Sequence, residues 1–128
     1  MLKVPQVLIL EDSKTIGALF QAHFRGEPVG ITLVETATEA REAFRIGSFD
    51  VIVLDGIAPS GLGTTPSLVG PILAREFRQK GYKRPLVAIS NDLQAQQLMK
   101  QAGCRHLCEK DRLPGLIREL LGLLTSPK

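Results

Sequence analysis

The chain has 128 residues, 44% of them hydrophobic and 23% charged, which is the size and balance of one globular domain. The formal net charge is +3, but the 16 Lys and Arg residues are scattered along the sequence apart from short groups such as 80–84, and there is no Trp and only one Tyr. This pattern argues against direct nucleic-acid binding. The apolar runs are as short as strands, and no signal pattern precedes them, so we predict no membrane association.

The first half of the chain predicts two strand–helix units. Residues 7–10, Val-Leu-Ile-Leu, are typical of a strand that is buried on both faces. Ser13 can cap a helix that runs to about residue 25, because its hydroxyl can accept from a free N–H of the first turn. Residues 31–35 predict a second strand. Thr38 then caps a second helix, which Gly47 ends.

The second half of the chain continues the same alternation. The predicted strands are residues 51–54, 86–89 and 106–109, and the predicted helices are residues 72–80, 93–102 and 113–124. The last four residues, 125–128, are expected to be a frayed tail of one domain that spans 1–128. Five strands that alternate with five helices predict a parallel sheet with helices on both faces.

Polar side chains follow four of the five predicted strands. Glu11 and Asp12 follow the first strand, Asp55 the third, Ser90 the fourth and Lys110 the fifth. Since ligands in open parallel sheets bind beyond the carboxyl ends of the strands, these groups are expected to converge there. Carboxylates that crowd together repel one another unless a cation lies between them, and Mg²⁺ prefers carboxylates, water and phosphate oxygens. The pattern therefore predicts a magnesium site, with Asp12 and Asp55 as direct ligands and Glu11 acting through water.

The same residues predict a phosphoryl-transfer chemistry. An Asp carboxylate can attack phosphorus and form an acyl phosphate. Lys110 can neutralise charge on the transferred group, and Ser90 can donate a hydrogen bond to a phosphoryl oxygen.

Nearly the whole chain resembles a response-regulator receiver domain of two-component signalling, similar to the chemotaxis regulators. The motifs that carry the resemblance occur in the family's order at the predicted strand ends: Glu11-Asp12-Ser13, Asp55 followed by Ala58-Pro59, Ser90, and Ala102-Gly103 before Lys110. The resemblance implies a flavodoxin-like (βα)5 fold, doubly wound, with strand order 2-1-3-4-5. It also implies that a histidine kinase or phosphotransfer protein donates the phosphoryl group to Asp55, with Mg²⁺ held by Asp12, Asp55 and the backbone carbonyl of Ile57.

The family resemblance further implies the output and setting of the chain. Bonds from Ser90 and Lys110 to the phosphoryl group would reshape the face of the fourth helix and fifth strand, and so switch binding to a downstream protein target. A homodimer is left open, and a cytoplasmic location is expected. Cys104 and Cys108, which do not form a CxxC motif, fit this setting as reduced thiols in or near the core.

Four departures from the family pattern bear on the function. Residues 60–69 predict an inserted loop after the third strand, which could be a tolerated surface loop, a lid or a partner contact. Asn91 follows Ser90 where the family has a small residue, and Leu107 stands where an aromatic residue is common. Asp111 follows Lys110 in place of Pro, so a trans bond is predicted there.

Two other functions were weighed against phosphoryl acceptance. The departures from the family pattern favour, as the alternative, a receiver-like protein-interaction module that works without phosphorylation. A phosphatase with an Asp nucleophile needs a second Asp two residues later as general acid, and here that position is Ile57. We therefore predict a self-phosphorylating acceptor domain with slow autodephosphorylation at most, and not an enzyme.

Overall fold

A computed structural model describes residues 3–123, and the predicted tail 125–128 and the end of the last predicted helix lie outside that range. The strands are β1 (Gln6–Leu10), β2 (Gly30–Val34), β3 (Val51–Asp55), β4 (Ala58–Pro59), β5 (Pro66–Ser67), β6 (Leu86–Ile89) and β7 (His106–Cys108). The helices are α1 (Lys14–His23), α2 (Ala37–Ile46), α3 (Val69–Gln79), α4 (Leu93–Gln101) and α5 (Leu113–Leu121). Within residues 3–123, no helix has the length and apolarity that a membrane crossing requires.

Five of the strands form one parallel sheet in the order β2-β1-β3-β6-β7. Leaving out the two-residue strands β4 and β5, this is the order 2-1-3-4-5, so the predicted doubly wound α/β fold is confirmed. Alternate side chains of the sheet enter two cores. Leu8, Leu10 and Ile52 pack toward α2, α3 and α4, whereas Val7 and Ile9 pack toward α1 and α5. Burial on both faces explains why the central strands are apolar without interruption.

The register of the sheet places the first residues beyond the strands side by side. Leu10 pairs with Leu54, so Glu11 continues β1 next to Asp55. Asp55 pairs with Ile89, so Ser90 continues β6 next to Gly56. The residues that follow these strands therefore lie together at one edge of the sheet, as the pattern of strand ends predicted.

Three local predictions were wrong or incomplete. Thr36, not Thr38, caps α2, and its hydroxyl accepts from the Glu39 N–H at 3.1 Å. Helix α3 begins at Val69, three residues before the predicted start, with Pro71 in its first turn as expected. The range 60–69, predicted as a loop, contains β5, which pairs antiparallel with β4, and the first residue of α3. That the hairpin is an insertion relative to the family stays a prediction.

Candidate phosphoryl-acceptor and metal site

The candidate site lies where β1, β3, β6 and β7 end. Glu11 is 1% exposed, Asp55 5% and Ser90 4%, which is unusual for polar residues and shows that the site is set into the sheet edge. The N–H of Glu11 donates to the Val34 carbonyl at 3.0 Å, which extends the β1–β2 ladder and fixes the direction of the Glu11 side chain.

Lys110 reaches the site from the β7 edge of the sheet. A single turn of 3₁₀-helix, Lys110–Arg112, follows β7 and turns the Lys110 side chain back over the strand ends. Its Nζ lies 2.8 Å from Glu11 Oε1 and donates a hydrogen bond to Asp55 Oδ2 at 3.0 Å. One ammonium group therefore bridges two buried carboxylates that lie 55 and 99 residues before it in the chain.

Three carboxylates meet at this edge of the sheet. One oxygen each of Glu11, Asp12 and Asp55 lies within 4.8 Å of the other two. Glu11 Oε2 accepts from the Ser13 N–H at 3.0 Å, whereas Glu11 Oε1 is buried and meets its neighbour Lys110 as an ion pair only, without hydrogen-bond alignment. A buried carboxylate oxygen with spare acceptor capacity, beside two more carboxylates, is a set of hard oxygen donors that fits Mg²⁺.

The electrostatics of the site follow from burial. Removal from water raises the pKa of Asp55, and the hydrogen bond and charge of Lys110 offset this only in part, while Glu11 adds to it. Burial acts to lower the pKa of Lys110, but the ion pair with Glu11 and the hydrogen bond to Asp55 outweigh it and raise that pKa. Keeping Asp55 ionised in the folded protein therefore costs free energy, and another cation in the site would reduce that cost.

The predicted site residues Ser90 and Ile57 also lie at this edge. A Cβ added to Gly56 would lie 3.2 Å from Ser90 Oγ, so the hydroxyl is next to the residue that follows Asp55. Ser90 Oγ accepts from the Asp92 N–H at 3.2 Å. The Ile57 N–H donates to Asp55 Oδ1 at 3.3 Å, a long bond that orients the second carboxylate oxygen.

The loop after β3 is held by close backbone contacts that the sequence reasoning missed. A Cβ on Gly70 would lie 2.5 Å from the Asp55 carbonyl oxygen and 2.7 Å from Gly56 Cα, so α3 begins directly against the loop that follows Asp55. The Gly70 N–H donates to the Gly56 carbonyl at 3.1 Å. The pair Gly70-Pro71 was the available signal, because glycine permits a close approach of two backbones.

The four departures from the family pattern lie as follows. Asn91 is exposed beyond Ser90, and Leu107 is exposed on β7. Residues 3–123 contain no cis peptide bond, so the predicted trans bond between Lys110 and Asp111 is confirmed. The hairpin is fastened to α2, since both the N–H and the hydroxyl of Thr38 donate to the Ser60 carbonyl, at 3.0 and 2.9 Å.

Comparison with known proteins identifies the fold. Neither a family model nor a curated protein matches the sequence. Among solved structures, the receiver domain of the Francisella response regulator 1452 is 20% identical with a TM-score of 0.74, covering 93% of this chain and 98% of its own. A two-component response regulator from Clostridium difficile is 19% identical with a TM-score of 0.76, covering 95% and 99%.

A third solved structure, the phosphorylated cyanobacterial phytochrome response regulator RcpA, is 16% identical with a TM-score of 0.77, covering 97% of this chain and 99% of its own. The chain therefore has the fold of a response-regulator receiver domain over nearly its whole length, as the resemblance implied.

Proposed function

We propose that this chain is a phosphorelay receiver that accepts a phosphoryl group on Asp55 from a histidine kinase or phosphotransfer protein and thereby switches its binding to a downstream protein. The observation that carries the proposal is the Lys110 ammonium bridging Glu11 and Asp55, with Asp12 beside them. A nucleophilic carboxylate, a cation opposite it and a cluster of hard oxygen ligands are the parts that phosphoryl transfer to Asp requires.

The transfer follows from where these groups lie. A carboxylate oxygen of Asp55 attacks phosphorus, an O–P bond forms, and the N–P bond of the donor phosphohistidine breaks with its electron pair left on the imidazole nitrogen. Lys110 already lies within hydrogen-bond distance of Asp55 Oδ2, so a small shift of Nζ lets it bind an oxygen of the phosphoryl group. Ser90, next to Gly56, is the second donor proposed for that group.

The metal ligands of the proposal are Asp12, Asp55 and the carbonyl of Ile57, with Glu11 acting through water. When bound, Mg²⁺ would reduce the repulsion among the carboxylates and neutralise charge on the phosphoryl oxygens. The chain's own contribution is to hold Glu11 and Asp55 out of water and on neighbouring strands. The Asp55 carboxylate is thus positioned before the donor binds, which lowers the entropic cost of the transfer.

The proposal extends to output and setting. Two residues after Ser90, Asp92 caps α4 by accepting from the Ala95 N–H at 2.8 Å. Gln96 of α4 donates to the Ser90 carbonyl. A pull on Ser90 by a phosphoryl oxygen would therefore reach α4 through these bonds, and the exposed face of α4 and β7 is the proposed partner surface. We place this module in the cytoplasm, as a signalling domain and not a turnover enzyme.

A mass measurement tests the acceptor role. The protein is incubated with Mg²⁺ and a small phosphodonor such as phosphoramidate, and the intact mass is recorded over time. We expect a gain of one phosphoryl group that EDTA prevents and that Asp55→Asn abolishes. The control Asp111→Asn removes an exposed carboxylate next to Lys110 and should behave as wild type.

The second candidate function is the receiver-like interaction module that works without phosphorylation. The hairpin of β4 and β5 favours it, because the hairpin is tied to α2 beside the acceptor and presents Leu62, which is 97% exposed, to solvent. No mass gain in wild type, together with unchanged partner binding by Asp55→Asn, would support this module and reject the phosphorelay receiver.

A further inference from the structure

A basic cleft lies at the end of the sheet opposite the candidate site. It has a volume of about 520 Å³ and opens where the chain enters β6 and β7. The residues that line it and matter here are Arg78, Tyr82, Lys83, Arg84, Arg105 and His106. The volume falls in the range of small-molecule sites and is many times that of one water molecule.

Arg78 holds the two walls of the cleft together. Its guanidinium donates to the carbonyls of Tyr82 and Arg84 on one wall, both at 2.8 Å, and to the carbonyl of Gly103 on the other, at 3.0 Å. Gly103 has a φ of +116°, and a Cβ there would lie 3.0 Å from Arg78 Cγ, so a glycine keeps this arrangement free of strain. The cleft is thus braced by a rigid planar side chain and is not a gap between two loose loops.

Positive charge is concentrated at this cleft. The cleft and the two cavities that share residues with it are lined by six Lys and Arg residues and, in the described part of the chain, by no carboxylate: Arg78, Lys80, Lys83, Arg84, Lys100 and Arg105. Two neighbouring carboxylates pair with members of the set, Asp50 with Arg84 at 3.4 Å and Glu76 with Lys80 at 3.8 Å.

Four net positive charges therefore remain at one end of a chain whose total is +3. The fold brings residues 78–84 together with Lys100 and Arg105, because the segments before β6 and β7 and the ends of α3 and α4 all lie at this end of the sheet.

We propose that this cleft binds a small anion that carries two or more linked phosphate groups, such as pyrophosphate or a nucleoside polyphosphate. Lys83 and Arg84 stand on one wall and Arg105 and His106 on the other, so an anion with charge at both ends can contact both walls. Arg and Lys bind phosphate oxygens through charge-assisted hydrogen bonds. Tyr82 and the neighbouring Phe44 and Phe49 are half-buried, which does not give the open stacking platform that single-stranded nucleic acid uses.

Calorimetric titration tests the proposal. Pyrophosphate, ADP and orthophosphate are each titrated into the full chain at physiological salt without Mg²⁺. We expect saturable binding of pyrophosphate and ADP with one site per chain, and weaker binding of orthophosphate. Lys83→Gln and Arg105→Gln, both at exposed positions, should each weaken pyrophosphate binding about tenfold, the loss of one charge-assisted bond.

Two controls separate a built site from general attraction. Arg112→Gln removes one positive charge from a side chain that is 79% exposed outside the cleft, and should leave the affinity within about twofold of wild type. Asp55→Asn should also bind normally, since the acceptor lies at the other end of the sheet.

Three results would overturn the assignment: no saturable binding of pyrophosphate, an equal loss in Arg112→Gln, or binding of a mixed-sequence DNA duplex or an acidic peptide in the absence of polyphosphate binding. Circular dichroism of each variant confirms that a loss is not unfolding.

Discussion

Lys110 Nζ donates to Asp55 Oδ2 at 3.0 Å and lies 2.8 Å from Glu11 Oε1, so one ammonium compensates two carboxylates that are almost fully buried. Removing it leaves like charges on neighbouring strands with no counterion, and this is costly in a site with little water. The relationship also makes the site's charge balance testable without any knowledge of the partner.

We expect Lys110→Gln to lower the free energy of unfolding by about 2 kcal/mol in the absence of Mg²⁺, because a buried carboxylate pair loses its cation. Excess Mg²⁺ should then stabilise the variant more than it stabilises wild type, since the ion can take over the compensation. Urea unfolding with and without Mg²⁺ measures both effects. Lys14→Gln, whose side chain is 84% exposed in its pair with Glu35, is the control and should change stability by less than about 0.5 kcal/mol.

The backbone contact at Gly70 gives a second prediction. Gly70→Ala forces a Cβ against the Asp55 carbonyl and Gly56 Cα, both backbone atoms, and should destabilise the fold by about 1–3 kcal/mol. Gly115 in α5 is the matched control, since nothing lies within 4 Å of a Cβ there. Gly115→Ala should stabilise the protein by roughly 0.5–1 kcal/mol through helix propensity. A Gly70→Ala midpoint of thermal unfolding at or above that of wild type would refute the proposed contact.

The topology could be predicted from the sequence because five apolar runs alternate with amphipathic stretches, a pattern that few folds accommodate. The candidate site followed, because its polar residues stand at the carboxyl ends of the predicted strands. The β4–β5 hairpin could not be predicted, since each strand has two residues and Pro59 and Pro66 face each other.

Two further features could not be predicted because they depend on the folded structure. The cations of the basic cleft and of the cavities beside it come from four segments, and only the fold shows that these segments share one end of the sheet. The N-cap of α2 was misplaced by two residues because Thr36 and Thr38 are both good caps, and the choice depends on where β2 stops.

An ion pair between Glu27, in the turn after α1, and Arg118 of α5 predicts a pH dependence. The hydrogen bonds from Arg118 hold the pKa of Glu27 below its ordinary value, against a smaller opposing effect of desolvation. A lowered pKa in the folded state stabilises the protein at every pH above the unfolded value of about 4.3, and this contribution disappears as the pH falls through the folded-state pKa.

Glu27→Gln should therefore lower the midpoint of thermal unfolding at neutral pH, and its difference from wild type should narrow in acid. Glu119→Gln, an exposed carboxylate on α5, should show no such narrowing. A Glu27→Gln difference that stays constant from neutral pH into acid would show that the Arg118 pair has no such role.

The two thiols should differ in reactivity. Cys104 is 1% exposed, and burial raises its pKa to about 12, so almost no thiolate forms at neutral pH. Cys108 is half-buried, and burial, followed by the charges of Asp111 and Glu109, raises its pKa as well. Under native conditions iodoacetamide should modify Cys108 slowly and Cys104 only at the rate of unfolding, as followed by peptide mass spectrometry. Faster labelling of Cys104 than of Cys108 would contradict the described core.

The central claim is that the Asp55 carboxylate, which shares the Lys110 ammonium with Glu11, is the group that takes phosphate. The most direct measurement is to phosphorylate the protein with Mg²⁺ and phosphoramidate, trap the acyl phosphate with borohydride, which reduces the modified Asp to homoserine, and sequence the peptides by tandem mass spectrometry. The account predicts homoserine at position 55 and at no other Asp. Trapping at a different residue, or no trapped product from a folded, Mg²⁺-loaded protein, would contradict it.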